Sequence, residues 1–261
     1  MDRQAVLAAF DQQIRRRPQP DTLDGHLEQD GRVIRSISRG EGWTGLTWCE
    51  LDEANADSVI AGQISRFAEL SRPWEWKHYS YDQPPDLPDR LVAAGFRPEP
   101  AEALQVAEVA NLALDVRPPP GVELLAVVDK QAVEALMRVH DQVFGGDHSA
   151  VGRSLPAGLA RRPSTAAAVV AWAGPTPIAA GRVEFHAGTD FASLWGGGTL
   201  PAWRRRGVFR SLVAYRAAAA SARGFRYLQV DATPDSRPIL QRLGFVQIAT
   251  TTPFIYPGGT S

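Results

Sequence analysis

Trp195-Gly196-Gly197-Gly198-Thr199-Leu200-Pro201-Ala202-Trp203-Arg204-Arg205-Arg206-Gly207-Val208-Phe209-Arg210 reads as a glycine-bearing strand, a basic turn and the start of a helix. The strand reaches back to Phe191, and the helix runs from Gly207 to Arg223 with Gly224 at its end. A helix start leaves its first N–H groups without intrahelical acceptors, and the macrodipole adds partial positive charge there. Beside three arginines, these donors predict an anion site fitted to a diphosphate. Glycine at position 207 lets a phosphate approach the backbone closely. A solvated basic turn before an ordinary helix is the plainer reading of Arg-x-x-Gly taken alone.

Outward from this stretch, the patterning predicts alternating strands and helices. Downstream lie a strand over Tyr227–Ala232, a Thr233-Pro234 turn and a short helix over Ser236–Leu243. Gly244-Phe245 and a last strand over Val246–Tyr256 follow, and Pro257 to Ser261 is expected to fray. Upstream, Val122–Val128 is a strand, Lys130–Val143 a helix, Phe144–His148 a loop and Val151–Ala160 a weaker helix. Strands over Thr165–Ala173 and Ile178–His186 flank the turn Gly174-Pro175-Thr176-Pro177. The triple proline of Arg117-Pro118-Pro119-Pro120-Gly121 is a stiff connector and the clearest boundary in the chain.

Before that boundary, Val6, Leu7, Phe10 and Ile14 make Met1–Arg17 an amphipathic helix, with Arg15, Arg16 and Arg17 at its negative end. Short strands fill His26–Leu51, with a turn at Arg39-Gly40-Glu41-Gly42. A helix over Asp52–Leu70, a strand over Trp74–Tyr79, a proline turn, a helix over Leu87–Ala94, Gly95-Phe96 and a strand over Leu104–Leu114 complete this half. The order long helix, strand, proline turn, short helix, Gly-Phe, strand therefore occurs twice, as an architectural repeat without close sequence identity.

Pro201 ahead of Arg204, the preceding strand and the later Gly244-Phe245 together make residues 122–256 resemble the GNAT superfamily of N-acetyltransferases. Its signature, [Arg/Gln]-x-x-Gly-x-[Gly/Ala], reads here as Arg204-Arg205-Arg206-Gly207-Val208-Phe209, with Phe209 departing from the usual small residue. The resemblance implies acetyl-CoA as co-substrate, its diphosphate held by Arg204, Arg205, Arg206, Gly207, Val208, Phe209 and Arg210. It further implies that Gly198, Thr199 and Leu200 flank the pantetheine arm, with the Leu200 N–H stabilising the developing oxyanion. The implied fold class is α/β (α+β): two GNAT-like units in tandem, each a mixed, mainly antiparallel sheet flanked by helices. The expected division is 1–116, a linker at 117–121 and a cofactor-binding domain at 122–256. The first unit is expected to be degenerate, since Cys49-Glu50-Leu51-Asp52-Glu53 stands at its strand-to-helix junction and carboxylates repel a diphosphate.

Acetyl transfer to an amine requires loss of a proton from nitrogen. The tyrosine that family members often carry before Gly-Phe is Leu240 here, and Ser193 stands where some members have a glutamate. Glu184 and His186, which share a strand face with Arg182, and Asp231 are the candidate bases, each with a solvated or salt-bridged alternative. Asp147 and His148 are candidates to contact a cationic amine, and Tyr227 and Tyr256 read as core or rim. The expected acceptor is a primary amine of a small molecule or peptide. An acyl-CoA-binding sensor without turnover is the rival reading.

Composition sets the outer bounds. A chain of 261 residues with 44% hydrophobic and 22% charged content is that of a folded protein. Lys+Arg of 28 against Asp+Glu of 29 argues against nucleic acid as the partner, despite Arg15–Arg17 and Arg204–Arg206. The single cysteine, Cys49, excludes an intrachain disulfide and reads as a buried strand residue. Histidine spacing gives no metal site. With no apolar run of membrane-spanning length and no signal-peptide core, a soluble cytoplasmic protein is expected, as monomer or homodimer.

Overall fold

The computed structural model describes residues 1–20, 25–38, 40, 42–70, 72–146 and 148–258. Asp147 and parts of the Arg39–Gly42 turn and of the C-terminal tail thus lie outside the described residues. The chain divides into two compact units. One holds residues 2–105, 231–237 and 247–261, the other residues 106–230 and 238–246. Neither is a continuous run, so the division does not coincide with a cut at the proline segment. The last strand, although it closes the second copy of the repeat, belongs to the first unit from Gln247 onward. Among the described residues no helix is long and apolar enough to cross a membrane.

The amino-terminal unit begins with α1 (Arg3–Phe10), whose N-cap Asp2 accepts from the Gln4 and Ala5 N–H groups. The helix expected over Met1–Arg17 continues past Phe10 as a π-helical segment over Asp11–Arg15. Strands β1 (His26–Asp30), β2 (Val33–Ile37) and β3 (Gly45–Cys49) follow, then α2 (Ala56–Ala68), β4 (Trp74–Tyr79), α3 (Leu87–Ala93) and β5 (Arg97–Pro98). The sheet order is β1-β2-β3-β4-β12, where β12 is Val246–Tyr256 and β5 also pairs with it. Only β3 and β4 run parallel, in register at Gly45↔Glu75 and Leu46↔Trp76. Trp74 and Trp76 turn to one face and pack with Phe67, Phe96 and Leu91 under α2 and α3. Period-2 alternation then puts Glu75, Lys77 and Tyr79 on the opposite face.

Arg15, expected with Arg16 and Arg17 at the negative end of the first helix, lies on that opposite face. Its side chain is 2% exposed, bonds Asp82 at 2.9 Å and Asp11 at 3.2 Å, and lies over the Tyr79 ring at 3.8 Å.

The strand expected over Leu104–Leu114 is β6 (Glu102–Glu108), ended by a 3-10 turn at Val109–Asn111. The carboxy-terminal unit then runs β7 (Glu123–Ala126), α4 (Lys130–Phe144), α5 (Ser149–Ala160), β8 (Ala166–Ala173), β9 (Thr176–Phe185), β10 (Phe191–Thr199), α6 (Val208–Ser221), β11 (Tyr227–Ala232) and α7 (Arg237–Arg242). Its order is β7-β8-β9-β10-β11, antiparallel up to β10 and parallel between β10 and β11. Alternate strand residues are sorted onto two helices: Ala166, Ala168, Val170 and Ala180 pack with Val133, Leu136 and Val139 of α4. Val169, Ala171 and Ala179 pack with Val208 and Leu212 of α6. Each unit is thus an α+β layer with a mixed, mainly antiparallel sheet.

Candidate functional site

The parallel pair β10–β11 is in register only at Phe191↔Tyr227, Ala192↔Leu228 and Ser193↔Gln229, although both strands continue. From Leu194 onward the two strands part. On the other edge of β10 the register against β9 slips between Trp195 and Gly198. The bulge is seated on Gly196, whose φ is +56° and whose added Cβ would meet the His140 ring at 2.6 Å. No L side chain fits there without displacing α4. His140 fixes the bulge by a hydrogen bond between Nε2 and the Gly196 carbonyl (2.9 Å), and burial lowers its pKa to about 4, so the ring is neutral.

Beyond β10, Pro201–Trp203 forms a 3-10 turn that delivers Arg204, Arg205 and Arg206 to Gly207. Gly207 caps α6 at φ +88° without a side-chain hydrogen bond, and Arg205 has φ 61°, the one non-glycine positive φ among the described residues. Left-handed positions at Arg205 and Gly207, one residue apart, curl the loop, and turns of this kind can gather main-chain N–H groups around an anion. The first main-chain bond of α6 runs from the Ser211 N–H to the Gly207 carbonyl (3.1 Å). Among the described residues, the N–H groups of Arg205 to Arg210 donate to no protein acceptor. Arg204, Arg205, Arg206, Gly207 and Arg210 are exposed, whereas Val208 turns its side chain into the core.

The departure at Phe209 is explained by Gly197. A Cβ on Gly197 would lie 3.2 Å from the Phe209 ring, so the missing side chain on β10 makes room for the large one on α6. Gly198 is likewise held against Val143 and Phe144, which a Cβ would meet at 2.8 and 3.1 Å.

Leu200 requires a correction. Its N–H already donates to the Ile178 carbonyl at 2.9 Å and is not free for an oxyanion. Strand alternation then turns the main chain of Thr199 away from β9, toward the opening. The Thr199 carbonyl accepts from Arg204 Nε at 3.1 Å, and Thr199 Oγ1 is buried without a partner among the described residues. Thr199, not Leu200, offers the polar groups on that edge.

The candidate bases are dispersed, and each is engaged. Glu184 is ion-paired with Arg182 at 2.8 Å. His186 hydrogen-bonds Ser193 Oγ at 2.5 Å, and burial lowers its pKa to about 4. Gln229 Nε2 donates to the same Ser193 oxygen. Asp231 accepts from Lys77 Nζ at 2.5 Å and from Thr251 Oγ1 at 3.4 Å. Leu240 is a fully buried apolar residue of α7. Tyr227 is buried against Phe191 and is a core residue, whereas Tyr256 is partly buried and packs with Trp74 and Phe96 at the core's rim. His148 bonds the Gly145 carbonyl of its own loop at 2.7 Å. Burial pushes the Cys49 thiol up to about 12, which makes it a poor nucleophile.

Lys77 and Asp231 share the amino-terminal unit with Glu102, a residue that no sequence motif singles out. Burial, Asp231 and Glu75 push the Glu102 carboxyl up to about 7 against the pull of Lys77. The folded protein then holds a proton on Glu102 that the unfolded chain releases near the ordinary glutamate value. Stability therefore falls as pH rises from about 4.5 to about 7 and stays reduced above it. Glu102→Gln is expected to remove this dependence and raise the melting temperature at pH 8 by about 3 °C, with little change at pH 4.5. Parallel pH–melting curves for the two proteins would count against it.

The helix start in the other unit is built differently. At α2 the Asp52 side chain accepts from the Ala54 and Asn55 N–H groups at 3.0 and 2.9 Å, and Asn55 Oδ1 accepts from the Asp52 N–H. A carboxylate of the chain itself thus engages two N–H groups of the turn that leads into α2.

No sequence-family model matches the chain, and no curated protein matches it. Solved structures do. A GCN5-related N-acetyltransferase from Kribbella flavida matches at a TM-score of 0.72 and 20% identity, over 98% of this chain and 95% of its own. A tandem GNAT protein from the clavulanic acid biosynthesis pathway matches at 0.61 and 12% identity, over 93% and 86%. A GCN5-related N-acetyltransferase from Sphaerobacter thermophilus matches at 0.60 and 11%, over 90% and 84%. The chain therefore has the GNAT fold, and along most of its length it is similar to a tandem GNAT protein.

Proposed function

We propose that this chain, with its GNAT fold, transfers an acetyl or other short acyl group from coenzyme A to a primary amine of a small molecule or peptide. One observation carries the reading: the run of unsatisfied N–H groups from Arg205 to Arg210, ringed by exposed arginines, at the mouth of the gap between β10 and β11. That donor set fits a diphosphate by charge, by number and by the close approach that Gly207 permits. The unpartnered Thr199 Oγ1 supports a polar ligand lying along the open edge of β10. Coenzyme A supplies the acyl group as a thioester.

The amine attacks the thioester carbonyl in its neutral form. A C–N bond forms, the C–S bond breaks, the amine nitrogen sheds a proton and the departing thiolate takes one up. Holding the thioester between fixed strands supplies orientation. The amino-terminal unit, with the Asp52 carboxylate in the turn before α2, packs its own core and binds no coenzyme A. Binding without turnover is the second reading, favoured by the apolar Leu240 and by the internal partners of Glu184, His186 and Asp231.

Calorimetric titration of acetyl-CoA tests the proposal, with one site per chain as the expected result. Two sites would overturn the assignment of the amino-terminal unit, and no heat at millimolar ligand would overturn the function. Turnover over a panel of primary amines separates the transferase from the binding protein.

A further inference from the structure

Arg216 lies in the middle of α6 and is 1% exposed. Its Nε donates to the Leu212 carbonyl one turn back (3.0 Å) and its Nη1 to the Arg182 carbonyl of β9 (3.4 Å). Among the described residues no carboxylate pairs with it. The other cation at hand, Arg182, is already matched by Glu184. A buried guanidinium held only by carbonyl dipoles is costly, because its desolvation is not offset by an opposite charge. Burial, with Arg182 beside it, lowers its pKa to about 9, which still leaves it charged at neutral pH.

The surroundings are shaped to this group. A Cβ on Gly181 would stand 2.8 Å from the guanidinium, and one on Gly197 would stand 3.1 Å from it. Two glycines, on β9 and on β10, thus leave the space the charge occupies, and Gly197 belongs to the bulge where β10 has parted from β11. The guanidinium therefore abuts the one stretch of β10 that is open along its other edge. From the start of α6 to Arg216 is about 12 Å along the helix axis, two turns beyond the diphosphate cradle.

We infer that Arg216 is the counter-ion of a carboxylate carried by the ligand: the acyl group ends in a carboxylate, so that a dicarboxylic acyl-CoA is preferred to acetyl-CoA. The inference rests on the acyl-CoA reading above and specifies the acyl class for that site. The diphosphate and the acyl carboxylate are then recognised two helical turns apart, the first by main-chain donors and the second by a side chain.

Calorimetry with acetyl-, malonyl-, succinyl- and glutaryl-CoA on the wild-type chain, Arg216→Met and Arg216→Lys tests it. At least one dicarboxylic thioester should bind the wild type about tenfold or more tighter than acetyl-CoA. The preference should vanish in Arg216→Met and partly return in Arg216→Lys, while acetyl-CoA affinity stays within about threefold in all three. Ligand-free Arg216→Met should also melt higher than wild type, because an uncompensated charge has been removed. Equal affinities in the wild type, or a preference that survives in Arg216→Met, would overturn the inference and leave the acyl-CoA reading standing. Binding of none of the four thioesters to the wild type would instead remove the acyl-CoA reading.

Discussion

Gly207→Glu is expected to lower acetyl-CoA affinity by about a thousandfold, while the chain remains folded. A Cβ at position 207 meets nothing within 4 Å, so the substitution brings no clash. The residue must still hold φ +88°, which costs a non-glycine residue about 1–2 kcal/mol. Charge dominates the effect on binding. A carboxylate fixed at the cradle faces the two negative charges of a diphosphate, and each such pair near the surface costs about 1–4 kcal/mol at about 4 Å. Summed over two charges this reaches about 4 kcal/mol, or three orders of magnitude. Gly207→Ala carries the backbone strain without the charge and should lose no more than about tenfold. Calorimetry on the three proteins decides the matter. An affinity for Gly207→Glu within threefold of wild type would mean that the diphosphate binds elsewhere.

The contrast between the two helix starts shows how much of this site is written in local sequence. Glycine against carboxylate at the strand-to-helix junction distinguishes α6 from α2 by residue type alone. The structure adds a second reason: Asp52 does not merely repel a diphosphate but holds the Ala54 and Asn55 N–H groups just ahead of α2. Strands β4, β11 and β12 fall on their expected bounds because alternation and Gly/Pro punctuation bracket them closely. β6 stops at Glu108 rather than Leu114, since an apolar run does not reveal where the backbone turns.

Leu200 shows a subtler limit. Which way an N–H points along β10 depends on the parity of its pairing with β9, and the slip at Gly196-Gly197 resets that parity. The three glycines signal that a bulge is present without showing which of the following residues it turns outward. Buried arginines are the hardest to read. Nothing in the sequence of Ala-rich α6 singles out Arg216, and only tertiary packing shows that Gly181 and Gly197 have made room for it.

Arg15→Met should cost about 3–5 kcal/mol of stability, the opposite in sign to the same change at Arg216. Both side chains are almost wholly buried, and methionine matches their length at either position. The difference lies in what is left behind. At Arg15 the guanidinium is bonded to Asp82 and Asp11, to the Tyr81 hydroxyl (3.1 Å) and to the Thr47 carbonyl (3.3 Å), and it covers the Tyr79 ring. Asp82, whose side chain is 6% exposed, would keep its Tyr79 N–H bond at 3.0 Å but lose the guanidinium that pairs with it. Removing one member of a buried pair leaves the other as an uncompensated charge, and that remainder sets the cost. At Arg216 no such carboxylate remains among the described residues. Over a chain of 261 residues, the loss at Arg15 corresponds to a fall in melting temperature of about 10 °C. Replacing Asp82 by Asn together with Arg15→Met should recover part of it, because the stranded charge is then gone. Thermal melting of the two single variants and the double variant measures each step. A double variant no more stable than Arg15→Met would place the cost in lost packing over Tyr79 instead of in the unpaired carboxylate.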